Sequence, residues 1–100
     1  MPVRTSAPEQ DASLPTLIFV RDETSGPSRR MESLVAWIRV TQKKRLRVVD
    51  LEASINPVAV ERLGVTVVPS LVLIDDGEVA GRLEGRVGGK EIEALISRAL

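Results

Sequence analysis

One hundred residues suffice for one domain with a modest core, and 43% apolar with 28% charged residues describes a folded chain rather than a disordered one. Fourteen basic side chains balance fourteen acidic ones, so no net field selects nucleic acid, an acidic membrane or an acidic substrate. The chain has no Cys and no His, which excludes disulfides, thiolate nucleophiles, thiolate metal ligands and the usual general base near neutral pH.

Any acid–base or nucleophilic chemistry would have to run on carboxylates, lysines or hydroxyls. The composition therefore leans against catalysis and implies neither a cofactor nor a metal. One Phe, one Trp and no Tyr leave no platform for stacking bases. No apolar run is long enough to cross a bilayer, and "MPVRTSAPEQDASLP" has no apolar h-region, so a cytoplasmic location is expected.

Residues 1–15 are rich in Pro, Ser and Ala without a period, and read as a flexible N-terminal arm ahead of a domain over 16–100. "TLIFVR", 16–21, is a continuous apolar run with β-branched and aromatic residues, which suggests a strand covered on both faces. "DETSGP" breaks it. From Ser28 a helical period begins, with Met31, Leu34, Val35 and Ile38 on one face and Trp37 widening it. Lys43, Lys44 and Arg45 fall in what reads as the last turn, where cations suit the helix dipole.

"LRVVDL", 46–51, is a second strand. Asn56-Pro57 marks a turn into a short helix, "PVAVERL", with Gly64 as its terminating residue. "SLVLI", 70–74, is a third strand, apolar throughout. "DDGE", 75–78, predicts a hairpin turn, because Gly77 accepts a positive φ. Residues 78–84 form a fourth, less apolar strand nearer an edge. Gly85 to Gly89 is a loop, and Ile92, Leu95, Ile96 and Ala99 give a last helical stripe. The order β-α-β-α-β-β-α implies a parallel βαβ unit with a right-handed crossover, joined to an antiparallel hairpin.

This order and its punctuation resemble the thioredoxin family over roughly Thr16 to Leu100. "SGPSRRM" lies after the first strand of the βαβ unit, where that family carries CGPC at a helix N-terminus. "INP" at 55–57 looks like the turn after the next strand. "LGVTVVPSLVLIDDGEVAGRLEG" looks like the family's second half, with Val68-Pro69-Ser70 matching a cis-proline loop that faces the motif and Gly85 the glycine after the last strand. The resemblance implies an α/β thioredoxin-like fold, a mixed four- or five-stranded sheet with helices on both faces.

The departures bear on function. Ser25 and Ser28 stand at both cysteine positions, around Gly26 and Pro27. Disulfide exchange needs sulfur attacking sulfur, and a serine hydroxyl is far too weakly acidic to substitute. Where the family usually has an aromatic residue before the motif, this chain has Thr24. Where it often has a buried carboxylate, this chain has Phe19, and where a lysine often partners that carboxylate, Asp50. Phe19 and Thr24 argue against two isolated engineered replacements.

The serines have a structural role open to them as helix caps. Asp50 is expected near a strand end with access to water, or as a buried carboxylate with a raised pKa. Arg29, Arg30, Lys43, Lys44, Arg45 and Arg47 read as one solvated basic helix face, and Asp75, Asp76 and Glu78 as turn chemistry.

The expected function is a redox-inactive, thioredoxin-like module that binds a protein or peptide, or acts as a chaperone, through a groove built from Ser25–Ser28 and Val68–Ser70. Two alternatives stand beside it. One is a thiol–disulfide oxidoreductase of redox homeostasis by family membership, its cysteines lost or mutated to serine. The other is a structural subunit of a larger complex.

Overall fold

The computed structural model describes residues 14–100. Most of the expected arm therefore lies outside the described residues. Its last residue does not behave as an arm: the Pro15 carbonyl accepts from the Arg47 N–H at 2.9 Å, extending the sheet by one rung.

The chain runs through β1 (Thr16–Arg21), α1 (Gly26–Thr41), β2 (Arg47–Glu52), a 3-10 turn (Ala53–Ile55), α2 (Pro57–Arg62), β3 (Ser70–Asp75), β4 (Glu78–Glu84) and α3 (Gly89–Ile96). The sheet order among the described residues is β2-β1-β3-β4, so the sheet has four strands there. β1 is parallel to β2 and antiparallel to β3, and β3 is antiparallel to β4.

The two most apolar strands take the centre because only they can be covered on both faces. Their side chains alternate between two cores. Leu17 and Phe19 of β1 and Leu71 and Leu73 of β3 pack with Met31, Val35 and Ile38 of α1 and Ile92, Leu95 and Ile96 of α3. Val20 and Val72 point the other way, to Val65, with Ile18, Leu51, Val60 and Leu63 packed around them. Helices thus cover both faces, α1 and α3 on one and α2 on the other.

α1 starts two residues before its apolar period, because Ser25 caps it and Pro27 suits its first turn. Trp37 is 57% exposed and does not widen the buried face. It lies about 100° around the helix from Ile38, on the outward side. The helix ends at Thr41, where the Gln42 N–H donates to the Ile38 carbonyl, so Lys43, Lys44 and Arg45 lie in the turn beyond it and Arg39 is the cation of the last turn. The expected basic face is therefore two separate groups. Arg29 and Arg30 lie near one end of α1, about 24 Å long for its sixteen residues, and the 43–47 cations lie past the other.

The β3–β4 turn has positive φ at Asp76 (56°) and Gly77 (81°), the pattern of the tight hairpin whose twist matches its strands. At Gly81 the approach of α3 is close. A Cβ there would stand 2.7 Å from Leu95 Cδ1, so glycine lets the last helix settle onto β4.

Candidate functional site

The sheet register brings the sequence-selected segments to one end of the sheet. Val20 pairs with Ser70, and Ser70 with Glu84. The loop after β1, the loop before β3 and the loop after β4 therefore leave the sheet side by side. The Gly85 N–H donates to the Pro69 carbonyl at 2.8 Å and ties the last two together.

Both serines are used by the backbone. Ser25 is the N-cap of α1, and its Oγ accepts from the Ser28 N–H at 3.3 Å. Ser28 is fully buried, and its Oγ accepts from the Asp22 N–H at 3.2 Å. That contact closes the loop between β1 and α1. The loop is braced again at Asp22, whose carboxylate accepts from the Thr24 hydroxyl at 2.7 Å and the Thr24 N–H at 2.9 Å. Those bonds, the hydroxyl's first, hold the Asp22 carboxyl below its ordinary pKa of 3.8. Neither serine hydroxyl donates to a base among the described residues, so nothing here activates an oxygen nucleophile. Of the four motif residues, Gly26 and Pro27 are exposed, Ser25 is half-buried, and Ser28 has no surface to offer a partner.

At the same end of the sheet, the Val68–Pro69 peptide bond is cis. Pro69 and Ser70 are buried, Val68 is half-buried, and Thr66 and Val67 are exposed. The Ser70 hydroxyl donates to the Val67 carbonyl. Among the described residues, the N–H groups of Thr66, Val67 and Val68 donate no hydrogen bond, and the Thr66 and Val68 carbonyls accept none. Such groups are met by water or by another strand.

The proton-handling positions named from the resemblance are direct neighbours, since Phe19 and Asp50 are register partners. Phe19 is 1% exposed, in the core. Asp50 lies in the middle of edge strand β2, not at a strand end, and it is neither buried nor isolated. It is 39% exposed and bonds Arg39 of α1 at 2.9 Å. An edge strand lets this carboxylate reach water and a cation together.

Sequence reasoning missed Arg21. Its guanidinium lies 3.0 Å from Glu32, 3.8 Å from Glu52 and 4.0 Å from Asp50, and its Nε is buried without a hydrogen-bond partner. A strand-ending Arg gives no local signal, because its partners come from α1 and β2. A second feature also went unseen. An apolar groove of about 610 Å³ lies on the α2 face, lined by Ile18, Val49, Leu51, Ile55, Pro57 and Val58, with Ile55 75% and Val58 60% exposed. It includes none of Ser25–Ser28 or Val68–Ser70. Among the described residues no acidic cluster could hold a metal, and no helix is long and apolar enough to cross a membrane.

Comparison with known proteins matches residues 9–98 to the Thioredoxin family model. Among solved structures, the chain is similar to a thioredoxin of Fasciola hepatica. The two superpose with a TM-score of 0.81 at 19% sequence identity, over 88% of this chain and 83% of that one. At that identity the likeness shows the fold, which is thioredoxin-like. The family match spans most of the sequence, and on it this chain, cysteine-free at both motif positions, belongs to the thioredoxin family.

Proposed function

We propose that this chain is a binding module: it holds an extended peptide or partner loop at the end of the sheet, between Ser25–Ser28 and Val68–Ser70, and does no redox chemistry. The observation that carries the reading is the open backbone of Thr66, Val67 and Val68, in a loop that leaves the sheet at the same end as the exposed Gly26-Pro27 step. An added strand would pair with those of these groups that face it, taking affinity from main-chain hydrogen bonds and selectivity from flanking side chains. Dithiol exchange is not proposed, because the chain offers no thiol to either half of the reaction.

The test is a peptide selected on the wild-type protein from a random display library, then titrated by fluorescence anisotropy against wild type and Val67→Pro. Proline removes the exposed Val67 N–H donor and leaves the buried core untouched. Binding weakened about tenfold, the worth of one or two good hydrogen bonds, is expected. Equal binding by the two proteins refutes the reading. The structural-subunit alternative draws its support from the apolar groove on the α2 face. It is favoured instead if the selected peptide competes at Ile55 and Val58.

A further inference from the structure

The zero net charge hides a local separation at this end of the sheet. A pocket of about 360 Å³ lies between α1 and the loop after β4, lined by Arg30, Met31, Leu34, Arg86, Val87 and Gly88, together with Glu91. A second depression, at the start of α1, is lined by Gly26, Arg29, Arg30 and Glu32. Among the described residues, the ion pairs involve only Arg21 and Arg39 as cations, so Arg29, Arg30 and Arg86 pair with no carboxylate.

The pocket's two guanidiniums outnumber its one carboxylate, Glu91. Glu32 is paired with Arg21, and Glu91 accepts from the Gly88 N–H at 3.1 Å. The first turn of α1 carries no acidic residue. Two exposed guanidiniums, Arg30 and Arg86, thus line a small pocket with an apolar floor of Met31, Leu34 and Val87, and Arg29 lines the neighbouring depression that shares Arg30. Arg86 follows Gly85, whose N–H donates to the Pro69 carbonyl, so the loop that carries Arg86 is tied to the loop before β3. The other side of the sheet end is acidic, with Asp22, Glu23 and Glu52.

We infer that the partner is an acidic extended peptide, whose backbone pairs with Thr66–Val68 and whose Asp or Glu side chain enters the pocket between Arg30 and Arg86, with Arg29 at the rim. This rests on the binding-module reading and specifies its ligand. A carboxylate fits the bidentate fork of an arginine, and its short methylene stem fits the apolar floor. The observations favour a peptide over nucleic acid, because the loop that carries Arg86 is tied to the loop holding the open Thr66–Val68 backbone, and no aromatic ring lines the pocket to stack a base.

The test is the composition of peptides selected from a random nine-residue display library on three folded proteins: wild type, Arg30→Glu with Arg86→Glu, and Val67→Pro. Both arginines are exposed and unpaired among the described residues, so charge reversal should preserve the fold, which circular dichroism checks. Wild type should enrich Asp and Glu several-fold over the input, and the reversed variant should enrich Lys and Arg. Added salt should weaken binding of the acidic peptides.

A pool of neutral composition that is lost with Val67→Pro would overturn the acidic preference and leave the groove standing. A pool that survives Val67→Pro, or no enrichment at all, would overturn both. A random 20-mer DNA that binds wild type more tightly than the selected peptides would also overturn the inference, in favour of a nucleic-acid site.

Discussion

Replacing the two serines one at a time separates a structural motif from a reactive one. In Ser25→Ala, α1 loses the side-chain oxygen that accepts from the Ser28 N–H, and the helix loses its N-cap. The expected cost is about 1 kcal/mol, whereas Ser25→Gly, a tolerated cap, should cost only a few tenths. Ser28→Ala acts differently. Ser28 is fully buried, and its Oγ satisfies the Asp22 N–H. Removing the acceptor strands a donor in a half-buried loop, at about 1–2 kcal/mol, the lower part of the range for a buried unsatisfied group because water can still approach Asp22.

For a domain of this size each kcal/mol lowers Tm by about 4–8 °C. Because the serines share one hydrogen-bond network, the double variant should not show the simple sum. Urea unfolding should be followed by far-UV circular dichroism, since Trp37 is exposed and reports poorly on the core. If Ser25→Ala and Ser28→Ala both unfold within about 0.3 kcal/mol of wild type, the capping and loop-closing roles are refuted.

Other outcomes follow from the same geometry. Ser25→Cys with Ser28→Cys should form an intramolecular disulfide on oxidation, read by mass spectrometry, yet remain a poor insulin reductase, because Phe19 supplies no proton relay at the position beside Asp50; efficient turnover contradicts this. The Asp22 carboxyl should titrate below 3.8 by NMR, and Thr24→Val, which deletes the largest cause, should bring it back toward that value. Its sign in stability is fixed: the contribution is present above pH 3.8 and is lost as pH falls through the lower folded value. Gly77→Ala puts a Cβ at a φ of 81° and should cost about 1–2 kcal/mol in chemical denaturation, with Val79→Thr, on the exposed face beyond the turn, as a near-neutral control.

The fold was legible because its signals are local. The unbroken apolar runs at 16–21 and 70–74 could only be central strands, and Asp76-Gly77 could only close a hairpin. The position of Ser25 was legible for the same reason, since a cap and a proline announce a helix start. What stayed hidden depends on partners distant in sequence. Trp37 looked apolar enough for the core, but its angle on the helix decided otherwise. Asp50 looked anomalous in an apolar run until β2 became an edge strand and Arg39 came within 2.9 Å. Arg86 drew no notice in a glycine-rich loop, and only the antiparallel return of β4 carries it to the start of α1. Charge counted along the chain sums to zero, while charge sorted by the fold does not.

The most direct test of binding at the sheet end is amide chemical-shift mapping of the labelled protein with a library-selected peptide. The account requires the largest perturbations, with slowed hydrogen exchange, at the Thr66, Val67 and Val68 amides, and smaller shifts around Gly26 and Arg86. Perturbations confined to the groove at Ile55–Leu63, with Thr66–Val68 unchanged, would contradict it.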